Sequence, residues 1–184
     1  MSAGAKMLFA AALLAGVSTA CCAENPPTNG ATMKLATTAF AEGQPIPQKH
    51  AFEDQNLSPA LQWSGVPPAA KSLALICDDP DAPMGTWVHW VIYDLPPATA
   101  GLAEGAPKSP ELANGAKQGV NDFKRTGYGG PAPPPGKAHR YFFKLYALDV
   151  KPELKAGLTK KDLLKAMEGH ILAEGQLMGT YQRQ

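Results

Sequence analysis

The chain is short of cysteine, of clustered charge and of any long apolar run. Of its three cysteines, Cys21 and Cys22 fall within the first 23 residues and only Cys77 lies in the body. A lone thiol in the apolar run SLALICD forms no internal disulfide and reads as a small core residue. Asp and Glu number 16 against 17 Lys and Arg, with no basic run and no acidic tail. That balance argues against nucleic-acid binding, which draws on clustered cations. The sequence also lacks internal repeats and the H-E-x-x-H, G-x-S-x-G and Cys-x-x-Cys motifs of common hydrolases and metal sites. Its apolar stretch near the start, Met7 to about Ala15, is too short for a bilayer, which needs ~20 residues.

That same stretch has another reading. MSAGAKMLFAAALLAGVSTACCA places one lysine, Lys6, before an apolar segment and then small residues, the layout of a secretory signal peptide over 1–23. Cleavage after Ala23 is favoured by the small Cys21 and Ala23; cleavage after Ala20 and lipidation at Cys21 are the alternatives. Removing Lys6 takes the net charge from +1 to zero. Residues 24–31 read as a flexible leader and 32–184 as a single domain, in a protein exported to the periplasm or the medium, with no transmembrane segment in the mature chain.

The whole sequence is 45% apolar, with 18 glycines and 18 prolines, which describes a folded, loop-rich, mainly β protein. TMKLATTAF, LQWSG, SLALICD, WVHWVIYDL and HRYFFKLYALD are strand candidates, rich in β-branched and aromatic residues and bounded by Pro and Gly. Two of them are apolar at nearly every position, so both faces need cover, and a sandwich of two antiparallel sheets supplies it. Trp63 and Trp90 belong to its core. Residues 96–136 form a long excursion, ending in GYGGPAPPPG, a rigid glycine-hinged wall. Thr159 opens a capping box, with Leu158 stapling to Leu163; Leu163, Leu164 and Met167 make an apolar stripe, and Gly169 ends that helix. HILAEGQLMGTY is expected to form a second short C-terminal helix. His170 reads as a cap or surface residue and His50 as a solvated loop residue.

Chemistry gathers around DDPDAPMGTWVHW. Asp79 and Asp81 flank Pro80, and Pro83 follows. Alternation puts His89 on one strand face with Trp87, Val91 and Tyr93, and puts His139 with Tyr141 and Phe143. Each strand thus begins with a histidine and an aromatic and then turns apolar, the pattern of a pocket at the end of a sandwich. The two carboxylates repel unless something positive intervenes, and imidazolium is the available partner. The expectation is an anion pocket in which Asp79 and Asp81 orient or charge His89 and His139, while Gly129 and Gly130 let backbone N–H groups approach the guest.

SPALQWSGVPPAAKSLALICDDPDAP, WVHWVIYDLP and GYGGPAPPPGKAHRYFFKLYALD resemble the phosphatidylethanolamine-binding protein family, in particular its bacterial Raf-kinase-inhibitor-like (YbhB/YbcL-type) branch. The likeness runs from about residue 33 to the end. It implies a β-sandwich with peripheral helices and a small anion pocket built from Asp79, Asp81, His89, Gly130, His139 and Tyr141, with Pro83 and Trp87 nearby. The ligand it implies is a phosphate, a carboxylate or a phospholipid head group. Some members of the family bind kinases or inhibit a peptidase, which extends the expectation to an unidentified protein partner, with the 96–136 excursion as the contact surface. The leading expectation is therefore an exported binding protein with no cofactor, no metal and no catalytic residue. The competing one is a metal-assisted or acid–base hydrolase using Asp79, Asp81, His89 and His139.

Overall fold

The computed structural model describes Met1 and residues 32–183. The expected signal peptide and leader lie outside the described residues, apart from Met1. The described residues form eight strands and one α-helix: β1 (Lys34–Ala36), β2 (Leu61–Ser64), β3 (Ser72–Asp79), β4 (Trp87–Leu95), β5 (Gly101–Leu102), β6 (Lys117–Gln118), β7 (His139–Leu148), α1 (Lys160–Met167) and β8 (Ile171–Tyr181). They form a three-stranded sheet, β1-β2-β5, and a five-stranded sheet, β6-β4-β3-β7-β8, with every described pairing between strands antiparallel.

All eight residues of β3 are buried, because it is the central strand and both faces of its sheet are covered. On the inner face Leu73, Leu75 and Cys77 join Trp90, Phe143 and Leu145 in the core between the sheets, with Trp63 of the smaller sheet. On the outer face Ala74 and Ile76 pack with Val91, Tyr93 and the α1 residues Leu163 and Met167. Burial of each large apolar side chain contributes about 2 kcal/mol toward holding the layers together. Cys77 sits in the inner core, and burial, then the neighbouring Asp78 and Asp79 carboxylates, push its thiol well above the usual range. It is a buried core residue, as expected.

The C-terminal part differs from expectation in one element. Helix α1 opens with the anticipated capping box, in which the Thr159 side chain accepts from the Asp162 N–H and the Asp162 side chain accepts from the Thr159 N–H. Leu163 and Met167 are buried, but Leu164 is exposed rather than part of the stripe. The following run is not a helix. It is strand β8, paired with β7 from His139↔Tyr181 to Leu148↔Ile171. Ala173, Gly175, Leu177, Gly179 and Tyr181 alternate inward, so the two-residue period is carried largely by Ala and Gly and is faint in a hydrophobicity pattern. The glycines are needed there: a Cβ at Gly175 would lie 2.7 Å from the Met33 carbonyl oxygen, and one at Gly179 would strike Phe40 and Ile46. That close approach lets residues 43–46 cover the β8 edge, with the Ile46 N–H donating to Thr180 O at 2.7 Å.

Candidate functional site

The site lies where β3, β4 and β7 end together. Asp79 is the last residue of β3, Trp87 and His89 lie in the first turns of β4's pleat, and His139 opens β7. Antiparallel pairing brings these ends to one rim, with Asp79 opposite Trp87. Asp79, Pro83, Trp87, His89 and His139 line one cavity of about 310 Å³, closed by Phe123, Ala132, Pro133, Pro134 and the exposed Met84. The proline run thus forms the rigid wall anticipated for it. Phe123 was not anticipated; its only sequence signal is that it is the sole phenylalanine in a long polar excursion.

His89 reaches this cavity through a β-bulge. Cys77 pairs with Trp90 but Asp78 pairs with Val88, so β4 carries one extra residue at this point. A bulge of this kind re-aims a side chain. His89 therefore stays on Trp87's side but does not share a face with Val91 and Tyr93, which sit under α1. Its ring instead packs edge-on against Tyr141 of the inner core, 5.1 Å between centroids, and against Phe123 at 5.4 Å.

The electrostatics also differ from the expected double carboxylate–histidine arrangement. Asp79 is buried; its Oδ2 accepts from His139 Nδ1 at 2.8 Å, and its Oδ1 accepts from the Asp81 N–H at 2.8 Å. Asp81 turns away. Its carboxylate takes the Arg140 guanidinium at 2.7 and 2.9 Å and the Arg140 backbone N–H at 2.9 Å. The Arg140 hydrogen bonds hold the Asp81 carboxyl down at about 2. Two carboxylates two residues apart are thus relieved by different cations, one imidazole and one guanidinium, because the intervening proline lets them diverge.

Among the described residues His89 pairs with no carboxylate. Its Nδ1 lies 2.7 Å from Gly129 O and 3.1 Å from Gly130 O. Burial pushes its pKa below the ordinary imidazole value, against the weaker upward pull of those carbonyls and of Asp79. Burial thus favours the neutral ring over the expected imidazolium, since a dry site penalises the charged form more than a distant carboxylate favours it. Gly129 and Gly130 do not form an N–H nest either. Gly129 N–H donates to His89 O at 2.9 Å and Gly130 N–H to Asn56 Oδ1 at 2.8 Å, so both are spoken for. Their role is to hold His89 from behind through their carbonyls. A Cβ at Gly130 would come within 2.1 Å of the His50 carbonyl oxygen, which is why glycine stands there.

Two polar atoms at the site are buried without a partner among the described residues: Trp87 Nε1 and the Tyr141 hydroxyl. Burial and the nearby Asp79 carboxylate push the Tyr141 hydroxyl far above its usual range, so it stays protonated. His50, expected in solvent, is fully buried with Nδ1 2.8 Å from Leu57 O, because its loop packs under Gly130. His170 is a surface residue paired with Asp149 at 2.8 Å. Among the described residues no three His, Cys, Asp or Glu side chains converge as metal ligands, and no helix is long and apolar enough to cross a membrane. A larger depression of about 660 Å³ near Glu53, Tyr181 and Arg183 holds no histidine and no unpartnered buried group among the described residues.

The profile of the phosphatidylethanolamine-binding protein family matches residues 36–182. The chain belongs to that family. It is 52% identical over 151 residues to a UPF0098 protein of Methanothermobacter thermautotrophicus, covering 82% of this chain and 99% of that one. Against a UPF0098 protein of Aquifex aeolicus it is 47% identical over 156 residues, covering 84% and 91%. Among solved structures it is similar to CT736 of Chlamydia trachomatis, a phosphatidylethanolamine-binding protein homologue, with 44% identity and a TM-score of 0.76 over 84% of this chain and all of that one. YbcL of Escherichia coli, a member of the mammalian family, gives 30% identity and a TM-score of 0.78 over the same shares. The family's sandwich is therefore the fold of this chain.

Proposed function

We propose that this chain is a binding protein without catalytic residues whose β3–β4–β7 cavity takes the anionic end of a small ligand: a phosphate, a carboxylate or a phospholipid head group. One observation carries the reading. A carboxylate-held imidazole and a carbonyl-held imidazole line a single cavity with apolar walls, together with Trp87, whose indole N–H has no partner among the described residues. Each imidazole has one nitrogen committed to the protein and one left for a guest, which fixes direction, while the prolines and Phe123 exclude water and strengthen each polar contact. Because His89 is neutral, an anion binds with proton uptake. Affinity then rises as pH falls through the ordinary imidazole range and is lost on the alkaline side.

Titration of labelled protein with inorganic phosphate at pH 6 tests this. The ring signals of His89 and His139 and the indole N–H of Trp87 are expected to move together to saturation. If all three stay fixed at tens of millimolar phosphate in folded protein, the reading is wrong. A phosphatase screen of the same sample separates binding from hydrolysis. Export is part of the proposal: the layout of residues 1–23 predicts that the protein recovered from the periplasm or medium begins at Glu24. An N-terminus at Met1 there would count against it.

A further inference from the structure

Accepting the cavity as an anion site, the geometry of His89 narrows the class of anion. Both partners of Nδ1, Gly129 O and Gly130 O, are carbonyl oxygens that only accept, so Nδ1 carries the proton. In the neutral ring the other nitrogen, Nε2, then presents a lone pair, and it has no protein partner among the described residues. The clamp is stiff. Asn56 Oδ1 holds the Gly130 N–H at 2.8 Å, and the Gly130 backbone presses on His50 O with no space for even a Cβ.

Burial, with His89 only 2% exposed, is what disfavours imidazolium, and the carboxylates around the ring pull the other way more weakly. Asp79 lines the same cavity and adds negative charge. Asp78 faces the opposite side of β3 and is paired with Lys144 and Lys160. Tyr141, packed on the ring, stays neutral, and His139 across the cavity is tied to Asp79. A guest therefore meets an acceptor at His89 Nε2 and a buried carboxylate that repels surplus negative charge, beside Trp87, whose indole N–H has no partner among the described residues. A fully deprotonated oxyanion would set its lone pairs against the Nε2 lone pair. An oxyacid that keeps one O–H supplies the missing hydrogen.

We propose that the cavity selects oxyacids still carrying one acidic proton, phosphomonoesters first, over phosphodiesters and sulfate esters, because His89 offers a lone pair rather than an N–H. The complex holds one proton between Nε2 and a phosphoryl oxygen; imidazolium facing the dianion is the same complex with that proton shifted. A phosphomonoester has its second ionisation near 6 and brings this proton at near-neutral pH. A diester or a sulfate ester has none to bring, so the proton must be put on a buried ring at the ring's own cost.

Methyl phosphate monoanion and methyl sulfate have the same charge and nearly the same shape and differ by that hydrogen. Titrated at pH 6 with the His89, His139 and Trp87 signals as readout, methyl phosphate is expected to bind about tenfold or more tightly than methyl sulfate, an unsatisfied buried pairing being the difference. Dimethyl phosphate should fall with methyl sulfate, and the gap should widen from pH 5 to pH 6. Equal affinities for methyl phosphate and methyl sulfate at pH 6 would overturn the selection while leaving the anion site intact. Silence from all three ligands would overturn both. Sedimentation with vesicles identifies the source of the monoester. Retention on phosphatidic acid but not on phosphatidylethanolamine assigns it to a lipid, and methyl phosphate binding without retention on either assigns it to a soluble metabolite. Retention on phosphatidylethanolamine in preference to phosphatidic acid would reject the proposal.

Discussion

Asp78 and Asp79 are neighbours at the end of β3 and point to opposite faces of the five-stranded sheet. On the outer face Asp78 is buried against two cations, Lys144 Nζ at 3.0 Å and Lys160 Nζ, the latter from the first residue of α1. On the inner face Asp79 is equally buried, yet it has one imidazole, one backbone N–H and a cavity in front of it. The outer carboxylate is neutralised and fixes α1 to the sheet. The inner one is left with a partner that still has a nitrogen to offer. A buried charge becomes structural when its surroundings are complete, and available for binding when they are not.

Replacing both Lys144 and Lys160 with Met should test that contrast most severely, because Asp78 is left charged in an apolar cluster. A loss of about 3 kcal/mol in unfolding free energy is expected, read from the urea midpoint, with the phosphate response of the remaining folded protein unchanged. Unchanged stability would mean that the outer cluster does not bind the helix to the sheet. Gly130→Ala comes next. Its Cβ meets backbone that cannot retreat, so a loss of about 2 kcal/mol is expected, together with a blunted His89 response to phosphate. A variant with full stability and full response would show that the carbonyl clamp is dispensable.

The pH dependence distinguishes the faces without mutation. The folded pKa of His89 is depressed below its unfolded value of 6.5, so below that pH the unfolded chain binds the extra proton. Stability attributable to His89 is therefore complete above the ordinary imidazole range and declines as pH falls through it. Saturating methyl phosphate should flatten that decline, and His89→Gln should remove the phosphate-sensitive part of it. A phosphate effect of equal size in the variant would assign it elsewhere. Least affected should be Asp81→Asn. Asp81 contributes above the ordinary carboxylate range and loses its contribution as pH falls toward about 2, but its pair with Arg140 is largely exposed, so the urea midpoint at neutral pH should barely move.

The strands that could be read from the sequence were those whose apolar residues are large. SLALICD, WVHWVIYDL and HRYFFKLYALD announced themselves, and their ends carried the polar residues that line the cavity. β8 escaped notice because its inward positions are filled by Ala and Gly, chosen for close approach rather than for bulk. The bulge takes His89 off the face that strict alternation predicts for it. Nothing local in the sequence says that β7 will present its second residue, Arg140, to Asp81 in the 79–81 turn. Asn56 and His50 were likewise invisible as supports of Gly130, being some 74 and 80 residues away along the chain.

By itself the sequence determined that the chain is mainly β, which side chains gather at the strand ends, and which family supplies the fold, since these follow from residue type and spacing along one segment. Only the tertiary structure decided the charge state of His89, the pairing of each aspartate and the occupation of the glycine N–H groups. Those depend on burial and on partners from distant segments, and in a medium of low polarity the nearest committed partner outweighs any tendency written along the chain.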